Sequence, residues 1–228
     1  MAIEPINQRS EETPLTDLGK TFSLVDLGLS VKWATFNLGA SKPEDFGDYF
    51  MWGETEPATD RECWWPTYKY AYGSGNMLTK YVTHPDGEAP HYGAGYYYED
   101  DEVSTLDPED DAAHVALGGK FRIPTYEAWS ELHECCTWVW TQLNGVNGYK
   151  VTSNKEGFTD RSIFLPAAGY RGGSDFAERG SEGCYWSDLL DYDAPNVALS
   201  YSLDNTYHGL RGDESFRCFG LSIRPVSK

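Results

Sequence analysis

Apolar and polar residues alternate between Val25 and Trp33. Val25, Leu27, Leu29, Val31 and Trp33 are separated by Asp26, Gly28, Ser30 and Lys32. A period of two predicts a strand with one buried face, and Gly28 marks a turn that can split the run into a hairpin. Residues 37–60 hold Gly39, Pro43, Gly47, Gly53 and Pro57 around Tyr49-Phe50-Met51-Trp52, which predicts an irregular segment with a short strand. No helical period survives over residues 61–106, where Trp64, Trp65, Tyr68, Tyr70, Tyr72, Tyr81, Tyr92 and Tyr96-Tyr97-Tyr98 are interleaved with Gly and Pro. A structureless loop of that length is rare inside a folded domain, so this stretch reads as an ordered insertion pinned by its aromatic rings.

Two helices follow. Asp107 as N-cap, Pro108 in the first turn and the acids Glu109 to Asp111 open one over about 108–117, which Gly118-Gly119 closes. Thr125 caps a second over about 126–136, with Trp129, Leu132 and Cys136 recurring at helical spacing. Beyond Gly145 the pattern gives short strands and turns, notably 163–170, 183–187 and 221–226. Strands, then two helices, then strands predict an α+β fold: two helices packed on mostly antiparallel short strands, with long ordered loops. The N-terminal strand near Val25–Val31 is expected to pair with the C-terminal strand near Leu221–Arg224. Trp33, Leu132, Phe164, Trp186 and Ile223 are expected in the core. Residues 1–22 are polar and broken by Pro5 and Pro14, so they read as an N-terminal arm, either a docking segment for a partner or a loose terminus. Residues 23–228 then form one domain.

Composition narrows the function. The 228 residues contain 36 Asp and Glu against 18 Lys and Arg, a net charge of −18. Such a surface repels phosphate backbones and anionic lipid, which argues against nucleic-acid and membrane-surface binding. No apolar run approaches the ~20 residues that span a bilayer, so no membrane insertion is expected. Met1-Ala2-Ile3-Glu4-Pro5 has neither a basic nor an apolar region, which predicts the absence of a Sec signal peptide. Aromatic residues make up 15% of the chain, and Tyr and Trp serve recognition surfaces as readily as cores. The five cysteines contain no C-x-x-C pair and read as free thiols.

Catalytic signals are sparse. None of His84, His91, His114, His133 and His208 sits in an H-E-x-x-H run or beside a G-x-S-x-G elbow, and no phosphate-cradling glycine loop occurs. The chain is therefore expected not to be an enzyme. Eight acids fall within residues 99–111, chemistry that suits calcium, yet without the D-x-D-x-D-G spacing. Helix capping and a solvated acidic face are the preferred explanation. No cofactor is expected, with structural calcium the open alternative.

The C-terminal third is more informative. Residues 188–213 contain no Lys, Glu, Gln, Met or Trp. Randomising the adenines of AAC codons yields a residue set that excludes those five types; an ordinary polar loop is the alternative. Within this stretch Leu199, Tyr201 and Leu203 alternate with Ser200, Ser202 and Asp204, so the second set is expected to face outward. Asp188, Asp191, Tyr192 and Asp193 from the preceding loop should join them. So should Tyr207, His208, Leu210, Arg211, Asp213 and Phe216 from the following one. Together they predict one exposed ligand-binding patch mixing aromatic anchors with charge.

The order of motifs carries a resemblance. Val25-Asp26-Leu27-Gly28-Leu29-Ser30-Val31-Lys32-Trp33-Ala34, Gly47-Asp48-Tyr49-Phe50 and Trp52-Gly53-Glu54-Thr55 open it. Asp110-Asp111-Ala112-Ala113, Arg122-Ile123-Pro124-Thr125, Phe164-Leu165-Pro166-Ala167-Ala168-Gly169, Tyr185-Trp186-Ser187 and Ser222-Ile223-Arg224-Pro225-Val226 continue it. The whole resembles a large gut-bacterial family of paralogous domains with a C-type lectin fold. The C-terminal pattern also resembles the variable proteins of diversity-generating retroelements, built on the formylglycine-generating-enzyme type of that fold. The resemblance implies a hypervariable segment at about 188–219 that faces the ligand. It implies a receptor-binding or adhesin module, as at a phage tail tip, that meets a protein or glycan receptor on a bacterial surface. The place of action would be a phage virion or an extracellular surface. An undiversified cell-surface structural or carbohydrate-binding domain is the alternative. Formylglycine-generating activity needs two cysteines close in sequence near the C-terminus; Cys184 and Cys218 are too far apart for that. Trp186-Ser187-Asp188 only partly matches the calcium-lectin motif.

Overall fold

The computed structural model describes residues 10–12, 23–82, 101, 103–191, 194–211 and 215–228. Near the N-terminus β1 (Ser10–Glu12), β2 (Ser23–Val25) and β3 (Lys32–Ala34) are short strands. A long irregular stretch leads to α1 (Ala112–Leu117), β4 (Phe121–Arg122) and α2 (Tyr126–Cys135). The rest is strand: β5 (Cys136–Leu143), β6 (Val146–Ser153), β7 (Ser162–Pro166), β8 (Tyr170–Gly172), β9 (Asp175–Ala177), β10 (Glu182–Leu190), β11 (Ala198–Asp204), β12 (His208–Arg211) and β13 (Val226–Ser227).

These strands form sheets of order β1-β2-β3-β13-β4, β5-β6-β7, β10-β11-β12 and β8-β9. Every pairing between them is antiparallel. The fold is thus mostly β, and the α+β arrangement of helices layered on a sheet is overturned. Two causes are local. The first expected helix is broken: Pro108–Asp110 makes a single 3-10 turn, Asp107 gives no side-chain cap, and helix begins only after Asp111. The second ends at Cys135, and the chain passes straight into eight-residue β5. Helices of six and ten residues are too short to form a layer of their own: α1 packs on β4, and α2 on β5, β10 and β12.

The chain ends do meet, in a different register from the expected one. Val226 pairs with Trp33 and, on its other side, with Arg122. The preceding residues pair elsewhere: Leu221 bridges Phe50, and Ser222 bridges Tyr185 in parallel. All five expected core residues, Trp33, Leu132, Phe164, Trp186 and Ile223, are buried. Burying side chains of this size stabilises by roughly 1.5–3 kcal/mol each.

Two apolar clusters flank the β10-β11-β12 sheet. One gathers Trp33, Trp129, Leu132, Tyr149, Tyr185, Tyr201 and Leu203. The other gathers Trp52, Tyr68, Tyr81, Cys184, Trp186, Ala198 and Ile223. This sheet is therefore covered on both faces, which controls what its residues can do.

Candidate functional site

β11 lies between β10 and β12 with Tyr201 opposite both Tyr185 and Leu210. Tyr201 and Leu203 point inward, as their alternation predicts. Ser200 and Ser202, expected to face outward, are only 0% and 4% exposed, which removes them from the binding patch. A period of two fixes which residues share a face; it does not say whether that face is wet. Here the second face, which Ser200 and Ser202 share with Trp186 and Cys184 in register beside them, packs into the apolar cluster of Trp52, Tyr81 and Ile223. The two hydroxyls pair internally, Ser200 Oγ with Ser215 Oγ at 2.6 Å and Ser202 donating to Cys184 Sγ at 3.9 Å.

Beyond β11 the chain turns outward. The Asp204 carboxylate accepts from the backbone N–H groups of Thr206 (2.6 Å) and Tyr207 (2.8 Å) and from the Thr206 hydroxyl (2.7 Å). This turn projects Tyr207, whose ring lies over Gly209 and is 40% exposed. His208 then opens β12 opposite Leu203 and stacks on Trp138, with centroids 4.5 Å apart and planes at 13°.

Trp138 belongs to the β5–β6 hairpin. Its turn is Asn144-Gly145, with φ of 50° and 85°, the left-handed pair that matches strand twist in a two-residue hairpin. Alternation places Trp138 and Trp140 on one face of β5, with Val151 and Tyr149 in register opposite. Tyr149 meets Trp140 at 5.2 Å and His208 at 5.0 Å. Tyr201 stacks on Trp129 (4.7 Å) and on Trp138 (5.3 Å). Its hydroxyl lies 2.8 Å from His133 Nδ1 and 3.0 Å from His208 Nδ1. A single hydroxyl proton serves only one of them, so the other imidazole carries its proton on Nδ1 and donates. Burial, and then the neighbouring His133, hold His208 below the ordinary imidazole value, so it is neutral at physiological pH.

The outcome is an aromatic surface with little freedom. Trp138, Trp140, His208 and Leu210 are half-buried in it, while Tyr207 and His133 are exposed. Sequence reasoning missed Trp138, Trp140, Tyr149 and the role of His133. The signal was there: Trp138-Val139-Trp140 alternates, and Asn144-Gly145 is a strong short-range hairpin marker.

The remaining expected site residues lie elsewhere. Phe216 is 39% exposed, bridges Val197 and sits 6.0 Å from the Trp65 ring. Val197 and Leu203, the residue opposite His208, are six positions apart along the chain, about 20 Å at strand rise. The single expected patch is therefore split between two ends of the sheet. Asp188 and Asp191 lie at the Phe216 end; Asp191 donates its backbone N–H to Val197 O at 3.1 Å. Tyr192, Asp193 and Asp213 lie outside the described residues, and Arg211 is placed only as the last residue of β12.

Three of the described acids of residues 99–111, Asp101, Asp110 and Asp111, have internal work. Asp101 accepts from the backbone N–H groups of Tyr81, Val82 and Val103. Asp111 caps α1 through Ala113 and His114 and also accepts from Ile123 N–H at 2.9 Å. Asp110 is buried and accepts from Lys80 (2.7 Å), Tyr81 (2.7 Å) and Lys69 (3.1 Å). Among the described residues no three His, Cys, Asp or Glu gather as metal ligands would. Burial alone would raise the Asp110 pKa, but the hydrogen bonds from Lys80, Tyr81 and Lys69 outweigh it and hold the carboxyl far below the usual carboxylate range. A depressed carboxyl stabilises the fold at pH values above its unfolded pKa, about 3.9, and that contribution disappears as pH falls towards the folded one. We expect Asp110→Asn to lose about 1.5–3 kcal/mol at pH 7, as for a charged hydrogen-bond partner. The difference from the parent should shrink at pH 2–3, as read from urea midpoints at each pH.

No family model, characterised protein or solved structure matches this chain.

Proposed function

We propose that the chain is a ligand-binding protein: a diversified receptor-binding or adhesin module, acting at a phage tail tip or an extracellular surface, that recognises a protein or glycan on a bacterial surface. The observation that carries this reading is the aromatic surface of Trp138, Trp140, Tyr207 and His208. The Trp138 and His208 rings are held by mutual stacking and by Tyr201, and Trp140 packs edge-on against Tyr149, so binding to these rings orders little that is not already ordered. Rings of this kind give wide amphipathic contact area and are the usual anchors of interfaces. The resemblance to variable proteins of diversity-generating retroelements supports the same reading, because the Asp204–His208 turn projects from a strand buried on both faces. Residues can change at that turn without entering the core.

Burial of Ser200, Tyr201, Ser202 and Leu203 favours a second reading, an undiversified surface domain, because so much of the segment is structural. The DNA separates the two. Diversification requires a near-copy of the 3′ coding region, differing mainly at adenines, beside a reverse-transcriptase gene.

The binding test is flow cytometry of the labelled protein on a panel of bacterial strains, with Trp140→Ala and Tyr207→Ala combined. We expect at least tenfold loss of cell binding, as for paired hot-spot residues, with Tm lowered by no more than about 5 °C. Undiminished binding by the double variant would remove the surface from the account.

A further inference from the structure

A cleft of about 440 Å³ lies between the turn before α1, β4 and the end of β10. That volume is in the range of small-molecule sites, roughly 300–1,000 Å³. Leu106, Pro108 and Phe121 supply apolar wall. Arg122, from β4, reaches it with a buried Nε that has no hydrogen-bond partner among the described residues. Buried donors are almost always paired, so the Arg122 guanidinium keeps hydrogen-bonding capacity that the fold does not use. Lys120 stands exposed at the rim, and Lys228 completes the cationic lining, with His114 beside them. Three Lys and Arg in one cleft are notable on a chain of 36 acids and 18 bases, and they draw anions inward.

Two carboxyl groups share the cleft. Asp111 is already engaged, both oxygens accepting backbone N–H groups. Asp188 is held by its backbone, donating to Pro124 O at 3.2 Å and accepting from Leu106 N–H at 3.0 Å. We propose that this cleft is a second binding site, separate from the aromatic surface, for a small carboxylate-bearing ligand that pairs with Arg122 and Lys120 and shares a proton with Asp188.

The proton matters because two ionised carboxylates cannot lie side by side. Burial, then Glu127 from α2 and Asp111, push the Asp188 carboxyl up to about 7, with Arg122 opposing. His114, Lys120 and Lys228 are the other charged or titratable groups lining the cleft. Below pH 7 the protonated Asp188 donates to the ligand; above it, binding must take up a proton and weakens about tenfold per pH unit. A hydroxyl ligand would need ionised Asp188 as acceptor, and its affinity would rise with pH instead.

Calorimetric titration with D-glucuronate and with N-acetylglycine tests this and separates an acidic sugar from a peptide C-terminus as the carboxylate source. We expect at least one to bind at pH 6 and to bind about tenfold more weakly at pH 8. Asp188→Asn, whose amide donates at any pH, should bind as tightly at pH 8 as the parent does at pH 6. Arg122→Met should abolish binding. Lys120→Gln, at an exposed position that leaves the fold alone, should weaken it about two- to fivefold. The proposal is overturned if neither carboxylate binds, if affinity rises with pH, if Asp188→Asn abolishes binding, or if Lys120→Gln and a folded Arg122→Met bind as the parent does.

Discussion

Replacing Arg217 by Met should cost on the order of 3–5 kcal/mol, since each stranded buried acceptor costs about 1–3 kcal/mol and neighbours do not simply add. Arg217 is fully buried. Its Nε donates to the Tyr68 hydroxyl at 2.9 Å, and the two terminal nitrogens donate to Tyr81 O (2.9 Å), Pro195 O (2.8 Å) and Lys80 O (2.9 Å). The guanidinium also lies 4.9 Å from the Trp52 ring centroid. One side chain thus ties the irregular 65–82 stretch and the loop before β11 to the chain beyond β12. Met fills similar space but donates nothing, so the loss comes from unpaired carbonyls rather than from a cavity. Urea unfolding measures it. A loss below about 1 kcal/mol would mean that those carbonyls find water and that Arg217 does not organise this end.

The second large effect is at Tyr201. Tyr201→Ala should cost about 3–5 kcal/mol, as for other aromatic deletions from a packed core. The ring is fully buried between strands and stacks on Trp129 and Trp138. Tyr201→Phe keeps the ring and should cost about 1 kcal/mol, the net value of an ordinary hydrogen bond. His133 is exposed and His208 half-buried, so water can replace the lost hydroxyl. Thermal unfolding of the pair checks both values. A near-neutral Tyr201→Ala would return this strand to the variable surface and undo the division drawn here between scaffold and recognition turn.

Much of the core was legible because its residues are large and regularly spaced. Trp33, Leu132, Phe164, Trp186 and Ile223 stand where alternation or helical spacing places them, and the Thr125 cap marks the start of α2, its hydroxyl accepting from Ala128 N–H. The fold class was not legible, because it turned on residues 137–143. Their Trp-Val-Trp alternation continues directly from a helix, with no break to announce a strand. The chain-end pairing was right in kind but shifted to Trp33 and Val226, since Leu221 and Ser222 are taken by Phe50 and Tyr185. For the site, Tyr207 and Phe216 are exposed as expected, whereas His208 and Leu210 stand half-buried in β12 rather than on an outward loop. Ser200 and Ser202 are buried, and sequence period cannot reveal what covers the second face of a sheet. The partners that make His208 part of a surface, Trp138 and His133, are distant in sequence: His208 stacks directly on Trp138, and the hydroxyl of Tyr201, 68 residues from His133, links the two imidazoles.

The central claim is where recognition happens. Hydroxyl-radical footprinting of the protein, free and bound to a bacterial strain that captures it, reads this directly. The account predicts that Trp138, Trp140 and Tyr207 become protected on binding, while exposed Trp64 and Tyr72 oxidise as before. Protection confined to Trp64, Trp65 and Phe216, with Trp138, Trp140 and Tyr207 unchanged, would contradict it.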